Sequence, residues 1–305
     1  VTTTVRGYRP ADAPAAAEAV RSAYPHLVTT PETVAWQVGR APAGQCFRLL
    51  VAECGGEVAG VAHTGLVADA AEPGQGFCNP AVHPAHRGRG AGTALLAAAE
   101  EYLRGRGAVR VHAWTVDDGV SPGFAERRGY RRGRRSRALR LDLAGSPLAP
   151  VPPVPEGVRL CTAADLAADP RPLYAADVEA SRDEPGDVAV GTVAYEDWLA
   201  TTWDHPALDR ALSTVALADG AVAAFTLAHT DRRGRYLSGM TGTVRAHRGR
   251  GLARLVKADS LHRARGAGCT EALTGNDAGN APMLAVNARF GYRPYLAEWR
   301  CVRDL

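Results

Sequence analysis

The chain has 305 residues, of which 46% are hydrophobic and 22% charged, with a formal charge of +4; this excludes the disordered, collagen-like and disulfide-scaffold classes. Two globular units of ordinary size are expected, each able to bury a core. No charged-then-apolar leader and no apolar run of bilayer length occurs in the sequence, so the expectation is a cytoplasmic protein without a membrane partner.

Along the chain, the first informative stretch is "VAECGGEVAGV", Val51 to Val61, two β-rich runs about a Gly-Gly turn, which predicts a hairpin. "VHPAHRGRGAG", Val82 to Gly92, then opens a helix whose Leu95, Leu96, Ala99, Tyr102 and Leu103 share one face. That helix is expected to stop at the glycines within Arg104 to Ala108. A short strand, "VRVHAW", and a second helix closing on Gly129-Tyr130 follow. Arg127 to Arg140 holds eight arginines in fourteen positions. A basic outward strand face is favoured over a nucleic-acid patch, because Tyr130 is the one aromatic among them.

Ala144 to Gly157, "AGSPLAPVPPVPEG", carries five prolines and no apolar period, so it is expected to be a stiff, extended linker. The earlier order then repeats: a hairpin at "VALADGAVAAF" (Val215 to Phe225), the hexapeptide "AHRGRG" at Ala246 to Gly251 exactly as at Ala85 to Gly90, a helix with Leu252, Leu255 and Val256 on one stripe, a glycine stop within Arg265 to Gly268, the strand "TEALT" and a helix closing on Gly291-Tyr292. The chain therefore reads as one α+β domain duplicated, with boundaries at 1–143, a linker at 144–156 and a second domain at 157–305. Its six cysteines lack CxxC spacing and are expected as reduced thiols, with no metal site. Lys257 is the one lysine among 36 basic residues, which is read as coding bias.

Glycines in a turn that opens a helix let an anion approach unpaired backbone N–H groups at the positive end of the helix dipole, so each hexapeptide is predicted to hold a pyrophosphate. The Gly-Lys-Ser/Thr ending of a Walker loop is absent, and the GxGxxG dinucleotide context does not fit. Arg87-Gly88-Arg89-Gly90-Ala91-Gly92 and Arg248-Gly249-Arg250-Gly251-Leu252-Ala253 resemble the Gln/Arg-x-x-Gly-x-Gly/Ala signature of the GNAT superfamily of acyl-CoA-dependent N-acyltransferases. With the matching hairpins and Gly-aromatic endings, the chain also resembles the tandem subgroup that includes mycothiol synthase.

The resemblance implies two GNAT domains, each a mixed, mostly antiparallel sheet with flanking helices, splayed between its fourth and fifth strands. It implies acetyl-CoA or another acyl-CoA as cosubstrate and an amine on a small molecule as acceptor. It places acyl-CoA contacts at Val82, His83, Arg87, Gly88, Arg89, Gly90, Ala91, Gly92, Thr93 and Asp118 in the first half, and at Thr243, Val244, Arg248, Gly249, Arg250, Gly251, Leu252, Ala253, Asn280 and Met283 in the second. Where the family commonly has Asn and, seven residues on, a proton-donating Tyr, the halves have Asp118 and Ala125, and Asn280 and Asn287. Neither keeps the tyrosine. Asn287 retains hydrogen-bonding capacity but cannot give up a proton as a phenol does.

Chemistry is therefore expected in the C-terminal half, with Asn287, Glu184 and Ser238 as the candidate catalytic residues, and Glu179, Asp183 and Thr241 as further candidates for moving a proton. His229 is noted as titratable near neutrality. The N-terminal half is expected to hold acyl-CoA in a largely structural role. The rival expectation is a non-catalytic acyl-CoA-binding protein.

Overall fold

A computed structural model describes residues 3–183, 186–188 and 191–305. In chain order the first half forms β1 (Thr3–Gly7), α1 (Ala13–Ala23), α2 (Pro31–Arg40), β2 (Arg48–Cys54), β3 (Glu57–Leu66), β4 (Gln75–Val82), α3 (Ala91–Arg104), β5 (Arg110–Val116), α4 (Ser121–Glu126) and β6 (Arg131–Asp142). The second half forms β7 (Val158–Thr162), α5 (Arg171–Ser181), α6 (Tyr195–Trp198), β8 (Thr214–Ala218), β9 (Ala221–Thr230), β10 (Arg235–Thr243), α7 (Leu252–Gly266), β11 (Glu271–Asp277), α8 (Ala281–Arg289) and β12 (Arg293–Asp304). Both hairpins and both turn-to-helix junctions fall where the sequence places them.

The compact units cut across the expected boundaries of 1–143 and 157–305. Leu296–Leu305 belongs to the unit built on the first half, as do residues 186–188 and Gly191, and the second unit begins at Arg137, within β6. The first unit's strands run in the order β1-β2-β3-β4-β5-β12 and the second's β7-β8-β9-β10-β11-β6. The first unit thus takes its sixth strand from the other half, and the second takes Arg137–Asp142, the latter part of β6. In a duplicated sequence both copies of the fifth strand offer the same edge, so alternation along β6 or β12 does not say which one it joins.

In the first unit the two-residue period of β2 sends Leu50 and Ala52 to one face, against Leu95, Leu96, Ala99 and Leu103 of α3. Leu49 and Val51 go to the other, against Ala16, Ala17 and Val20 of α1. Full burial of each such leucine contributes about 1.5–3 kcal/mol. In the second unit Ala216 and Ala224 meet Leu252, Leu255 and Val256 of α7, and Val215 and Phe225 meet Leu173 and Ala176 of α5.

The proline-rich segment has no regular structure over residues 148–155, and its Leu148, Ala149 and Val151 pack on the second unit's core. The arginines of β6 are largely paired. Arg132 binds Glu126, Arg135 binds Asp117 and Arg131 binds Asp304 in the first unit, while Arg140 binds Glu271 in the second. Among the described residues no helix is long and apolar enough to cross a membrane.

Candidate active site

Each hexapeptide forms a short 3₁₀ turn, Pro84–His86 or Arg245–His247, and then a glycine with positive φ caps the long helix: Gly90 at +87° for α3 and Gly251 at +75° for α7. An L side chain disfavours that conformation, which fixes the glycines. The first helical amides to reach back are those of Ala94, to Gly90 O at 3.0 Å, and Leu255, to Gly251 O at 3.1 Å. The N–H groups of residues 91–93 and 252–254 therefore lack helical acceptors. A Cβ at Gly88, Gly249 or Gly251 would meet no protein atom within 4 Å, so the space over these amides is open to a ligand.

The motif arginines fold back the same way in both copies. Arg87 Nε donates to Val82 O (3.4 Å) and Arg248 Nε to Thr243 O (3.1 Å), tying the end of β4 or β10 to its turn. Arg87 also pairs with Asp118 (3.3 Å). Arg250 donates to His247 Nδ1 (2.9 Å), and His83 Nδ1 accepts from the Ala85 amide (3.3 Å).

In the first unit the α3 turn opens into a cleft of about 340 Å³ lined by Val82, Arg87, Gly88, Gly90, Ala91, Gly92 and Thr93, with Leu96, Ala113, Ala125 and Tyr130 deeper in. His83, Arg89 and Asp118, predicted with them, are not among its lining residues. Asp118 spends its carboxylate on its own turn, accepting from the amides of Val120 (3.0 Å) and Ser121 (2.7 Å). The cleft arises because β4 and β5 run parallel only from Gln75↔Arg110 to Phe77↔His112 and then part. Side chains fill the backbone valences so exposed: Tyr24 Oη donates toward Trp114 O (3.1 Å) and Pro80 O (3.3 Å), and Asn79 Oδ1 accepts from the Trp114 amide (2.8 Å). Pro80 has no N–H to offer. Burial pushes the Tyr24 hydroxyl far above its ordinary value, with Glu298 adding to the effect, so it stays protonated. Tyr24 and Trp114 were not foreseen, since no motif marks them.

In the second unit β10 and β11 run parallel from Arg235↔Glu271 to Ser238↔Thr274 and then part. Here the edge differs. β10 shifts register against β9 between Ser238 and Thr241, leaving Gly239 and Met240 without a ladder partner on either side. Ser238 is 3% exposed and belongs to a chain of hydroxyls, its Oγ 3.3 Å from Thr226 Oγ1, which lies 2.8 Å from Thr241 Oγ1. Such a chain can pass a proton.

Asn287 is fully buried; its Nδ2 donates to Asn276 Oδ1 at 2.6 Å, and its Oδ1 has no partner. Asn280 caps α8 by accepting from the Met283 amide (3.3 Å), which occupies its side-chain oxygen. Thr243 ends β10 and Val244 caps the start of the turn, while Leu252 and Ala253 begin α7.

Two of the expected proton carriers are engaged otherwise. Asp183 binds Arg245 and Arg248, each at 2.6 Å, and these hydrogen bonds, Arg245 first, hold its carboxyl well below the usual range. A carboxylate so held is a poor base near neutrality. Glu179 accepts the Arg245 amide (2.7 Å). Glu184 lies outside the described residues. Burial, reinforced by His205, pushes His229 down to about 4, so it is neutral and weakly basic at neutral pH. A residue the sequence reading set aside is Lys257, 1% exposed on the inner face of α7.

The model of the Acetyltransferase (GNAT) family matches residues 14–130. Mycothiol acetyltransferase of Thermomonospora curvata is 32% identical over 84% of this chain and 82% of its own length, and that of Nocardia farcinica is 32% identical over 81% and 80%. Among solved structures, a tandem GNAT protein from the clavulanic acid biosynthesis pathway superposes with a TM-score of 0.75 at 23% identity, over 99% of this chain and 98% of that one. A GCN5-related N-acetyltransferase from Sphaerobacter thermophilus gives 0.72 at 24%, over 99% and 95%.

Proposed function

From the premise that this chain belongs to the GNAT family of acetyltransferases and is itself an N-acetyltransferase, we propose that its C-terminal half transfers the acetyl group of acetyl-CoA to an amine of a small molecule, while its N-terminal half holds acyl-CoA without turning it over. The observation that carries this reading is the contrast between the two parted strands. In β10 the bulge frees backbone groups at Gly239 and Met240, whereas in β4 the equivalent opening is bridged by Tyr24 and Asn79 and interrupted by Pro80.

Acyl transfer needs N–H donors aimed where negative charge develops on the thioester oxygen, and a water-poor site makes such donors effective. Freed amides on β10 supply them. The diphosphate rests on the amides of residues 252–254 at the α7 N-terminus, with Arg248 alongside, and this fixes how far the pantetheine arm reaches along the gap between β10 and β11. The acceptor attacks as the neutral amine, and the hydroxyls of Ser238, Thr226 and Thr241 offer a route for the proton it sheds. Asn287, hydrogen-bonded to Asn276, positions rather than protonates.

The relatives' name, mycothiol acetyltransferase, makes an amine of the mycothiol type one acceptor to include. Turnover of acetyl-CoA against a panel of small amines, in Gly251→Val and Gly90→Val, tests the assignment. Loss in the first and retention in the second is expected; the reverse overturns it. The rival reading, acyl-CoA binding without chemistry, draws on Ala125 and Asn287 standing where the family has its tyrosine. It predicts that no amine in the panel yields free CoA.

A further inference from the structure

Lys257 lies at 1% exposure with one side-chain hydrogen bond, Nζ to Thr274 Oγ1 at 3.3 Å, and its Nζ sits 5.4 Å from the centre of the Tyr292 ring. No carboxylate pairs with it among the described residues. A buried ammonium with so little compensation is costly, and such groups are rare in cores. Two more polar atoms of this cluster, Tyr292 Oη and Asn287 Oδ1, are buried without any partner. Native cores seldom leave a thinly compensated ammonium and two unpaired polar atoms in one place, and a ligand, an ordered water or a reaction is the usual reason.

The duplication says what that use is. Lys257 comes six residues after the capping Gly251, as Leu96 comes six after Gly90. Thr274 follows Glu271, the first residue of β11, by three, as Ala113 follows Arg110 in β5. Asn287 and Tyr292 precede or close the Gly-Tyr ending as Ala125 and Tyr130 do. Leu96, Ala113, Ala125 and Tyr130 all line the first unit's cleft. Three apolar wall positions of that cleft are thus Lys, Thr and Asn in the second unit.

We propose that Lys257 is the general acid of the C-terminal site: its ammonium delivers a proton to the sulfur of CoA as the carbon–sulfur bond breaks. The inference rests on the reading that this half performs the transfer. The amine nitrogen of the acceptor adds to the thioester carbon; the tetrahedral adduct collapses, the C–S bond pair goes to sulfur, and sulfur takes the Lys257 proton. Products are the amide, CoA thiol and neutral Lys257, which is reprotonated by the proton released from the acceptor nitrogen. No oxidant, reductant or metal enters. Thr274 Oγ1 orients Nζ, and Asn287, held by Asn276, keeps α8 in register with it.

Electrostatics agree. Burial lowers the Lys257 ammonium to about 7, close to the optimum for proton transfer at neutral pH. The titratable groups packed here, Tyr292 and Tyr236, are pushed up by burial and stay neutral. Arginine cannot release a proton at such a site, which gives a reason for the chain's one lysine to stand here.

The test is the pH dependence of kcat for acetyl transfer in the full-length protein and in Lys257→Leu, the residue the first unit carries at this position, with Lys257→Met as a second variant should leucine pack poorly. Acetyl-CoA affinity is measured in parallel. The expected result is a wild-type kcat that declines above about pH 7, a loss of about 10²–10³-fold in both variants, disappearance of that alkaline limb, and a Kd for acetyl-CoA within about threefold. Variants that keep kcat within about threefold, keep the limb, or lose affinity in place of kcat overturn the assignment. Transfer lost in Gly90→Val and kept in Gly251→Val fails the underlying reading; transfer lost in Gly251→Val and kept in Lys257→Leu fails this inference alone.

Discussion

Replacing Gly251 by alanine separates two demands placed on one residue. Its φ is +75°, where an L side chain costs about 1–2 kcal/mol, and a domain of this size shifts its Tm by about 2–4 °C per kcal/mol. The second unit should therefore melt about 2–8 °C lower. The added methyl meets no protein atom within 4 Å, so packing contributes nothing to the loss. It does project into the open space over the α7 amides, and one displaced hydrogen bond to a charged phosphate is worth about 1.5–3 kcal/mol, or roughly 10–150-fold in Kd. Isothermal titration with acetyl-CoA should show the wild type's second-unit site weakened by that factor, while Gly90→Ala weakens the first-unit site instead. A Gly251→Ala protein that melts lower yet binds with two unaltered sites would refute the placement of the diphosphate.

Asp183→Asn should leave kcat within about twofold and lower the KM for acetyl-CoA, because it frees Arg248 to meet phosphate; steady-state kinetics at two salt concentrations check this, and a collapse of kcat would restore Asp183 as the base. The ion pair's own contribution is present above the unfolded carboxyl pKa near 3.9 and is lost as pH falls through the depressed folded value. Lys257 has the same sign in a higher window: its folded pKa, about 7, lies below the unfolded value near 10.4, so the unfolded chain binds the extra proton between them and stability rises with pH there too. Denaturant midpoints from pH 6 to 10 should show wild type gaining up to about 1.4 kcal/mol per pH unit relative to Lys257→Leu; parallel curves would deny the burial of the ammonium. Tyr24→Phe removes hydrogen bonds to Pro80 O and Trp114 O; it should cost about 1–3 kcal/mol in chemical unfolding of the first unit and leave kcat unchanged.

What the sequence made legible is what local chemistry dictates. Gly90 and Gly251 adopt positive φ, so the turns, their helices and the open amides follow from residue type and order. The apolar face of α3 was read from spacing, with Tyr102 at its edge, half-buried and donating to Cys46 O at 2.7 Å. The exchange of β6 and β12 was not legible, because strand alternation carries no address. Asp183 could be named only as a candidate for a related reason: a sequence gives its charge, whereas its role depends on Arg245 and Arg248 arriving beside it. Asn280 went to the helix cap that Asn so often supplies. Lys257 looked like a quirk of composition until its burial was seen; a lone lysine on the apolar stripe of a predicted helix was the available signal.

The central claim is that the freed strand of the C-terminal half polarises the acetyl carbonyl and the bridged strand of the N-terminal half does not. The infrared carbonyl band of bound acetyl-CoA, isolated by ¹³C labelling, reads this directly. The account predicts a band shifted to lower frequency that persists in Gly90→Val and vanishes in Gly251→Val. A shifted band that vanishes in Gly90→Val, or a band at the free-solution position in the wild type, would contradict it.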